Sequence, residues 1–341
     1  MKAFYGPLQE LAGIEQLQRD FSKTGKTVMV SGCIDTQKLH LVHAAAQNYR
    51  FRVIITSDEA KAREMQQDSR FFDKSSVYYP AKDFIFYSAD VHGSQLVGER
   101  LRCIHKIIET LGTDMAGSGN EDRGQGEKPA GGLTLITTID GCVDMLMPIK
   151  RYIDNTIYFK LGDVVDIQEL AVRLVETGYT RVPMVEGQGQ FAVRGGIIDI
   201  FSHTDETPVR IELWDDEIDS IRFFDVESQR SVEKAESYSA FPATEWILSE
   251  EEIEGGMAAV AAELKEQLKV LGAGKKKQSR QEMEACNRLR MAYADFERTR
   301  DYSKFIHSFT DRTEGLLSYF PAEDTLFVLD EPNRIQERME L

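Results

Sequence analysis

The loop at residues 32–39 carries the residue types of a phosphate-binding site. Gly32 and Lys38 keep the spacing of a P-loop, in which backbone N–H groups and a helix N-terminus bind phosphate. Gln37 stands where a second glycine is required, and Leu39 stands where a Ser or Thr hydroxyl would bind Mg²⁺. The loop therefore predicts an ordinary strand-to-helix connection, or else a P-loop that has lost its chemistry.

A second stretch, Asp330 and Glu331, ends an apolar strand predicted at residues 325–329. In helicases a strand that ends in Asp-Glu supplies a Mg²⁺ ligand and a water-activating carboxylate. Many strands end in acidic residues, so this pair alone indicates little. Asp35 also adds negative charge where phosphate would lie. Together with the degenerate loop, the pair predicts an inactivated RecA-like lobe.

The elements that must position these residues follow an α/β pattern. Apolar or β-branched runs at residues 28–31, 53–56, 77–79 and 133–137 alternate with helical patterns at 37–47, 59–67 and 95–109. Strands that are apolar nearly throughout and alternate with helices predict a parallel sheet covered on both faces. Residues 112–132 have little to bury and predict a flexible surface insertion.

The pattern changes after residue 151, and Asp166, with Glu169 three residues on, is the predicted N-cap of a helix that runs to about residue 176. The run at 191–201 is rich in strand-forming residues, and the runs at 209–214 and 218–224 alternate apolar with polar residues, which indicates antiparallel strands with one solvated face. Residues beyond 250 return to helical spacing. We therefore predict a discontinuous lobe at 1–150 and 320–341, an inserted α/β module at 151–247 and a helical subdomain at 248–319.

Composition excludes several classes of protein. The 341 residues are 42% hydrophobic and 29% charged, enough to form a core. Lys and Arg total 41 against 57 Asp and Glu, and the net charge of −16 opposes non-specific DNA binding. The four cysteines are dispersed without a C-x-x-C pair, which argues against a zinc ribbon and a disulfide scaffold. No apolar run reaches bilayer length.

Two arginines, Arg181 and Arg194, bracket a glycine-rich hairpin in the middle segment. Such arginines can simply be solvated at a sheet edge and paired with nearby acidic residues, without binding a partner. This alternative is stronger for Arg210 and Arg222, because they lie in an acidic block. An arginine beside an exposed aromatic such as Phe191 is typical of a protein-binding surface.

This middle segment closely resembles a known module. Its most specific motifs are Tyr-Thr-Arg at 179–181, Gly-x-Phe-x-x-Arg-Gly at 189–195, and Arg-Ile-Glu with Asp-Glu-Ile-Asp-Ser-Ile-Arg within 210–222. The module is shared by the excinuclease B subunit (UvrB) and the bacterial transcription-repair coupling factor family. Matches at 80–87 and 317–321 extend the resemblance over nearly the whole chain.

Two departures distinguish these relatives. UvrB keeps an intact P-loop and a long Tyr-rich hairpin, whereas this chain has Gln37, Leu39 and only residues 88–93 in place of the hairpin. The chain therefore resembles the amino-terminal portion of the coupling factor, and we expect it to be a fragment. The alternative is an active, ATP-dependent, damage-binding excinuclease subunit of the UvrB type.

The resemblance implies an adaptor for transcription-coupled nucleotide excision repair that binds the excinuclease A subunit, UvrA. Arg181 and Arg194 match contact arginines of UvrB and would donate charge-assisted hydrogen bonds to carboxylates of the partner. Phe191 would add an apolar contact. A further UvrB contact arginine corresponds to Ala192 here.

The resemblance also implies what this chain leaves to other modules. We expect no cofactor and no metal in it, with ATP and Mg²⁺ bound only in the translocase modules of the full-length family. RNA polymerase and DNA would likewise be reached through those modules. We expect the chain to be cytoplasmic and to have no membrane partner.

Overall fold

The computed structural model describes residues 8, 10, 13–21, 23, 27–71, 73–82, 90–112, 132–272 and 279–340. The chain forms two compact units, the first from Met1–Glu245 with Glu314–Leu341 and the second from Trp246–Thr313. The predicted division into a lobe, an inserted module and a helical subdomain stays a prediction.

The described strands are numbered in chain order. They are β1 (Phe51–Thr56), β2 (Val77–Tyr79), β3 (Leu133–Thr138), β4 (Met145–Leu146), β5 (Ile157–Lys160), β6 (Thr180–Arg181), β7 (Gln190–Arg194), β8 (Ile197–Phe201), β9 (Val209–Trp214), β10 (Glu217–Phe224), β11 (Ser231–Ala235), β12 (Ser237–Ala240), β13 (Glu314–Gly315) and β14 (Thr325–Leu329).

The described helices are numbered in the same way. They are α1 (Ile14–Phe21), α2 (Asp35–Ala45), α3 (Glu59–Ser69), α4 (Asp90–Leu111), α5 (Ile139–Val143), α6 (Ile149–Asp154), α7 (Ile167–Glu176), α8 (Glu250–Val270), α9 (Arg280–Thr299), α10 (Ile306–Phe309) and α11 (Pro332–Met339). Short 3₁₀ segments occur at Tyr302–Phe305, Leu316–Tyr319 and Ala322–Asp324.

A parallel sheet with strand order β14-β1-β3-β2 forms the lobe of the first unit. The central strands β1 and β3 are buried along their whole length, as continuous apolar strands of a covered parallel sheet should be. Leu39 of α2 and Met65 of α3 pack against Ile54 and Ile136 of these strands. The predicted α/β fold with a parallel sheet is confirmed.

Residues 28–31 do not form the strand that their composition predicts. Met29 is 90% exposed, and within the described part of the chain these residues pair with no strand. β-Branched residues suit a strand, but the strand forms only where a neighbour supplies hydrogen bonds and a surface to cover. The predicted strand is wrong, and the extended Ile34 leads directly into α2.

An antiparallel sheet follows in the same unit, with strand order β11-β10-β9-β8-β7-β6, of which only the β6–β7 pair is parallel. The apolar side of α7 packs on one face of it through Leu170 and Leu174. Asp166 caps α7 by accepting hydrogen bonds from the N–H groups of Gln168 and Glu169. The predicted antiparallel module is confirmed.

The second unit is helical. Ser249 and Ser279 are the N-caps of α8 and α9, each in a capping box that satisfies N–H groups of the first turn. The core consists of Val260, Phe296, Ile306 and Phe309.

The predicted insertion at 112–132 lies almost wholly outside the described residues. None of the described helices combines the length and the apolar character needed to cross a bilayer.

Candidate functional site

The two degenerate nucleotide motifs meet at the carboxyl end of β14. The Nζ atom of Lys38 lies 2.8 Å from Oδ1 of Asp330 and 3.2 Å from Oδ1 of Asp35. Lys61 of α3 also donates a hydrogen bond to Asp35. We call these four residues the vestigial cluster.

Charge inside the vestigial cluster is balanced by the chain itself. The hydrogen bond to Asp330 raises the pKa of Lys38, and bonds from Lys61 and Lys38 lower the pKa of Asp35. Lys38, which stands at the position of the P-loop lysine, therefore already has carboxylate partners where a nucleotide-binding lysine would contact phosphate.

The other motif residues have structural contacts. The Oε1 atom of Gln37 accepts a hydrogen bond from the N–H of Ile34 over 3.3 Å, and Leu39 is 2% exposed within the core. Gly32 takes a positive φ of 84°, which a glycine adopts at little cost. Glu331 precedes α11 in the left-handed conformation and pairs with Arg334 at 3.1 Å.

A buried ion cluster, missed by sequence reasoning, links the lobe to the end of the antiparallel module. Arg100 of α4 is fully buried, and its Nε lies 2.6 Å from Oε1 of Glu245. Its Nη1 lies 2.6 Å from Asp144, while Lys82 lies 3.0 Å from Oε2 of Glu245. We call these residues the joint cluster.

Electrostatics favour the charged form of the joint cluster. Burial acts to raise the pKa of Glu245, but Arg100 and Lys82 together outweigh it and lower the pKa. The Arg100 guanidinium also lies 4.4 Å from the centre of the Tyr79 ring. No local signal could have revealed this contact, since Arg100 and Glu245 are 145 residues apart.

Alternate side chains of β7 point to the two opposite faces of the antiparallel sheet. Phe191 is fully buried in the main core with Ile198 and Ile200, whereas Ala192 packs with Val185 and Phe201 in a smaller cluster. Because side chains alternate along strands, every second residue counted from Ala192, and the residues paired with these on β8 and β9, lie on the same face of the sheet as Ala192. We call that side the outer face; its members include Ala192, Arg194, Asp199, Arg210, Glu212 and Trp214.

The expectation that Phe191 is exposed is wrong. Its side chain is 0% exposed, because alternation along β7 turns it toward α7 and the main core. Phe191 supports the sheet from inside and offers no surface to a partner.

Arg194 lies on the outer face, with 43% of its side chain exposed. Its Nη2 donates to Oδ2 of the buried Asp199 over 2.5 Å. Arg210 holds the same carboxylate through two hydrogen bonds of 2.7 and 2.9 Å, and it stacks over Phe224. Asp199 thus fixes both guanidinium groups at defined positions on the sheet.

Arg181 lies on the edge strand β6, in register with Phe191. It is exposed, and among the described residues no carboxylate pairs with it. Arg194 is three residues farther along β7, about 10 Å at the usual rise of a strand. The structure therefore places both arginines on the two strands at one edge of the sheet, but strand alternation does not place them on the same face.

The described residues contain no group of three or more His, Cys, Asp or Glu side chains placed to hold a metal ion. The four cysteines are free thiols. Burial raises the pKa of Cys103 and Cys142 to about 12, so neither is a ready nucleophile.

Residues 157–246, which include the whole antiparallel sheet, match the family model of the UvrB interaction domain. This segment of the chain is therefore similar to the UvrB interaction domain.

Over most of its length the chain is also similar to transcription-repair-coupling factors. The protein of Bacillus subtilis strain 168 is 32% identical over 289 residues, which cover 84% of this chain and 23% of that protein. The Staphylococcus aureus USA300 protein is 29% identical over 323 residues, 92% of this chain and 25% of that protein. The chain thus spans about a quarter of the length of these curated relatives. The resemblance to the N-terminal, UvrB-like region of a transcription-repair coupling factor is confirmed.

Proposed function

We propose that this chain is the adaptor region that recruits UvrA to stalled RNA polymerase in transcription-coupled nucleotide excision repair. The observation that carries the proposal is the match of residues 157–246 to the UvrB interaction domain, because that segment holds the sheet with Arg181 and Arg194. In the lobe, Lys38 forms ion pairs with Asp35 and Asp330. This pairing supports the adaptor role over that of an ATP-dependent subunit of the UvrB type.

The two arginines would act as charge-assisted donors to carboxylates of UvrA. A guanidinium carries five N–H donors in a planar fork. Arg194 commits only one side of its fork to Asp199, and Arg181 keeps its whole fork for a partner within the described part of the chain. Because Asp199 already fixes the guanidinium of Arg194, that side chain loses little freedom on binding, which favours specificity.

Contacts with RNA polymerase and DNA, and ATP-driven translocation, would belong to the remaining three quarters of a protein of the relatives' length. The net charge of −16 supports this division, because a chain this acidic gains little from the phosphate backbone of DNA. The site of action would be the cytoplasm, where RNA polymerase works in bacteria.

Titration of the purified chain with UvrA tests the proposal. Arg181→Ala and Arg194→Ala should each weaken binding, since truncating one member of an interfacial charge pair costs about 2–5 kcal/mol. Arg173→Ala, at an exposed position of α7, is the matched control and should bind like the parent chain. Unchanged affinity in the double variant would show that the partner uses another surface.

A further inference from the structure

Trp214 is 81% exposed at the end of β9. The strand turns through Asp215 and Asp216 into β10, and Asp215 adopts a positive φ of 61°, which is unfavourable for a residue with a side chain. A large indole left in water beside a tight turn contributes nothing to the main core. Exposed tryptophan of this kind is the residue type most enriched at the energetic centres of protein interfaces.

Trp214 lies on the outer face at the same end as Arg194. The strand register pairs Arg194 with Ile197 and Ile197 with Glu212, and Trp214 is two residues beyond Glu212 on β9. The Cα atoms of Arg194 and Trp214 are therefore separated by two inter-strand distances across the sheet and by two residues along β9, about 12 Å in total. One partner surface of ordinary size can cover both residues.

The surroundings of Trp214 are apolar on one side and acidic on the other. Trp214 of β9 pairs with Glu217 of β10. Glu217 in turn forms an isolated β-bridge with Val164, whose side chain is 71% exposed. The turn adds the carboxylates of Asp215 and Asp216. Single-stranded nucleic acid also stacks on aromatic rings, but it binds in grooves lined with basic groups. The carboxylates of Asp215, Asp216 and Glu217 beside the indole repel phosphate, so the partner we expect is a protein.

We infer that Trp214 is the apolar anchor of the interface in which Arg194 is the charged contact. The partner surface would be a cleft that takes the indole, with basic side chains facing Asp215, Asp216 and Glu217 and a carboxylate facing Arg194. This inference rests on the proposed function, which makes UvrA that partner. It assigns to Trp214 the role that Phe191 cannot have, because Phe191 is buried.

The binding test compares Trp214→Ala and Trp214→Phe with the parent chain in titrations with UvrA. Trp214→Ala should lose at least about 30-fold in affinity, the scale of an interface hot spot, while Trp214→Phe should fall between the two. Phe71→Ala is the matched control, because Phe71 is another aromatic with 83% exposure but lies in the lobe. Circular dichroism of each variant shows whether its fold is retained.

A spectroscopic test reads the indole directly. The chain contains two tryptophans, so labelling with 5-fluorotryptophan gives two ¹⁹F resonances, assigned by Trp246→Phe. Addition of unlabelled UvrA should shift or broaden the Trp214 resonance. An unmoved resonance in the complex, or Trp214→Ala binding as tightly as the parent chain, would overturn the anchor.

The same titrations distinguish this failure from failure of the proposed function. If Arg181→Ala and Arg194→Ala weaken binding and Trp214→Ala does not, recruitment of UvrA stands and the anchor is wrong. If the parent chain does not bind UvrA at all, the proposed function and the anchor that rests on it both fail.

Discussion

The ammonium of Lys38 lies between the carboxylates of Asp35 and Asp330, and the latter side chain is only 5% exposed. Oδ2 of Asp330 is buried and, among the described residues, has no hydrogen-bond partner. Lys38 is therefore the cation that hydrogen-bonds this buried carboxylate. Lys38, a residue suited by its type and position to bind phosphate, instead stabilises the fold through its ion pair with Asp330.

Lys38→Met should lower the free energy of unfolding by about 1–3 kcal/mol, because it leaves a buried carboxylate without its cation. Urea unfolding measures the change. Lys150→Met, at a side chain with 82% exposure, is the control and should have little effect. Mg²⁺-ATP should raise the unfolding midpoint of neither protein. Saturable ATP binding that Lys38→Met abolishes without loss of stability would favour the UvrB-type alternative.

Helix α8 shows how packing decides the effect of a residue within an element. Gly255 and Gly256 are neighbours in this helix, where glycine costs about 1 kcal/mol relative to alanine. A Cβ at Gly255 would meet nothing within 4 Å, whereas a Cβ at Gly256 would lie 2.1 Å from Cδ1 of Phe309. The phenyl ring of Phe309 is buried in the core of the second unit.

Gly255→Ala should stabilise the second unit by up to about 1 kcal/mol, and Gly256→Ala should destabilise it by about 1–3 kcal/mol through overpacking. The two substitutions have the same intrinsic helix propensity, so their difference reports packing alone. Thermal unfolding followed by circular dichroism measures both. Equal gains from the two would show that Phe309 does not pack on this helix.

At the scale of the first unit, buried polar groups join the lobe to the antiparallel sheet. His203 lies between two backbones, since a Cβ at Gly98 of α4 or at Gly189 would come within 2.8 Å of its ring. The joint cluster around Arg100 and Glu245 lies along the same helix. These contacts position the sheet with its outer face relative to the lobe.

Glu245→Gln should destabilise the first unit by about 3–5 kcal/mol, because the joint cluster would keep its two buried cations, Arg100 and Lys82, but lose one of its two carboxylates. The free energy of unfolding in urea measures the loss. Glu254→Gln, at an exposed position of α8, is the matched control. A loss no larger than that of the control would mean that the cluster is solvated.

The stability of this unit should also depend on pH through His203. Burial, with a smaller effect of Arg102, lowers the pKa of His203 to about 4. The unfolded state, with a pKa of about 6.5, binds the proton first as pH falls, so stability decreases between those two values by at most about 1.4 kcal/mol per pH unit. Urea midpoints at pH 7, 6 and 5 should fall more steeply for the parent chain than for His203→Gln. Parallel slopes would show that His203 titrates normally.

Local patterns were reliable where neighbouring residues decide the outcome. The N-cap at Asp166 and the alternating strands β9 and β10 were predictable, because capping groups and side-chain alternation act over a few residues. The run at 28–31 was not, because its β-branched residues needed a partner strand that local composition does not reveal. The burial of Phe191 was not predictable locally, because alternation along β7 does not reveal which of its two faces the rest of the molecule covers.

The amino-acid sequence by itself determined the α/β class, the antiparallel segment and the family resemblance, because periodicity and motifs are local properties. Only the tertiary structure decided that Lys38 meets Asp330, 292 residues away, and that Arg100 meets Glu245. It also decided that Phe191 is buried and Trp214 exposed. Contacts of this kind depend on how distant segments return to one another, and burial depends on which face of a strand the rest of the molecule covers.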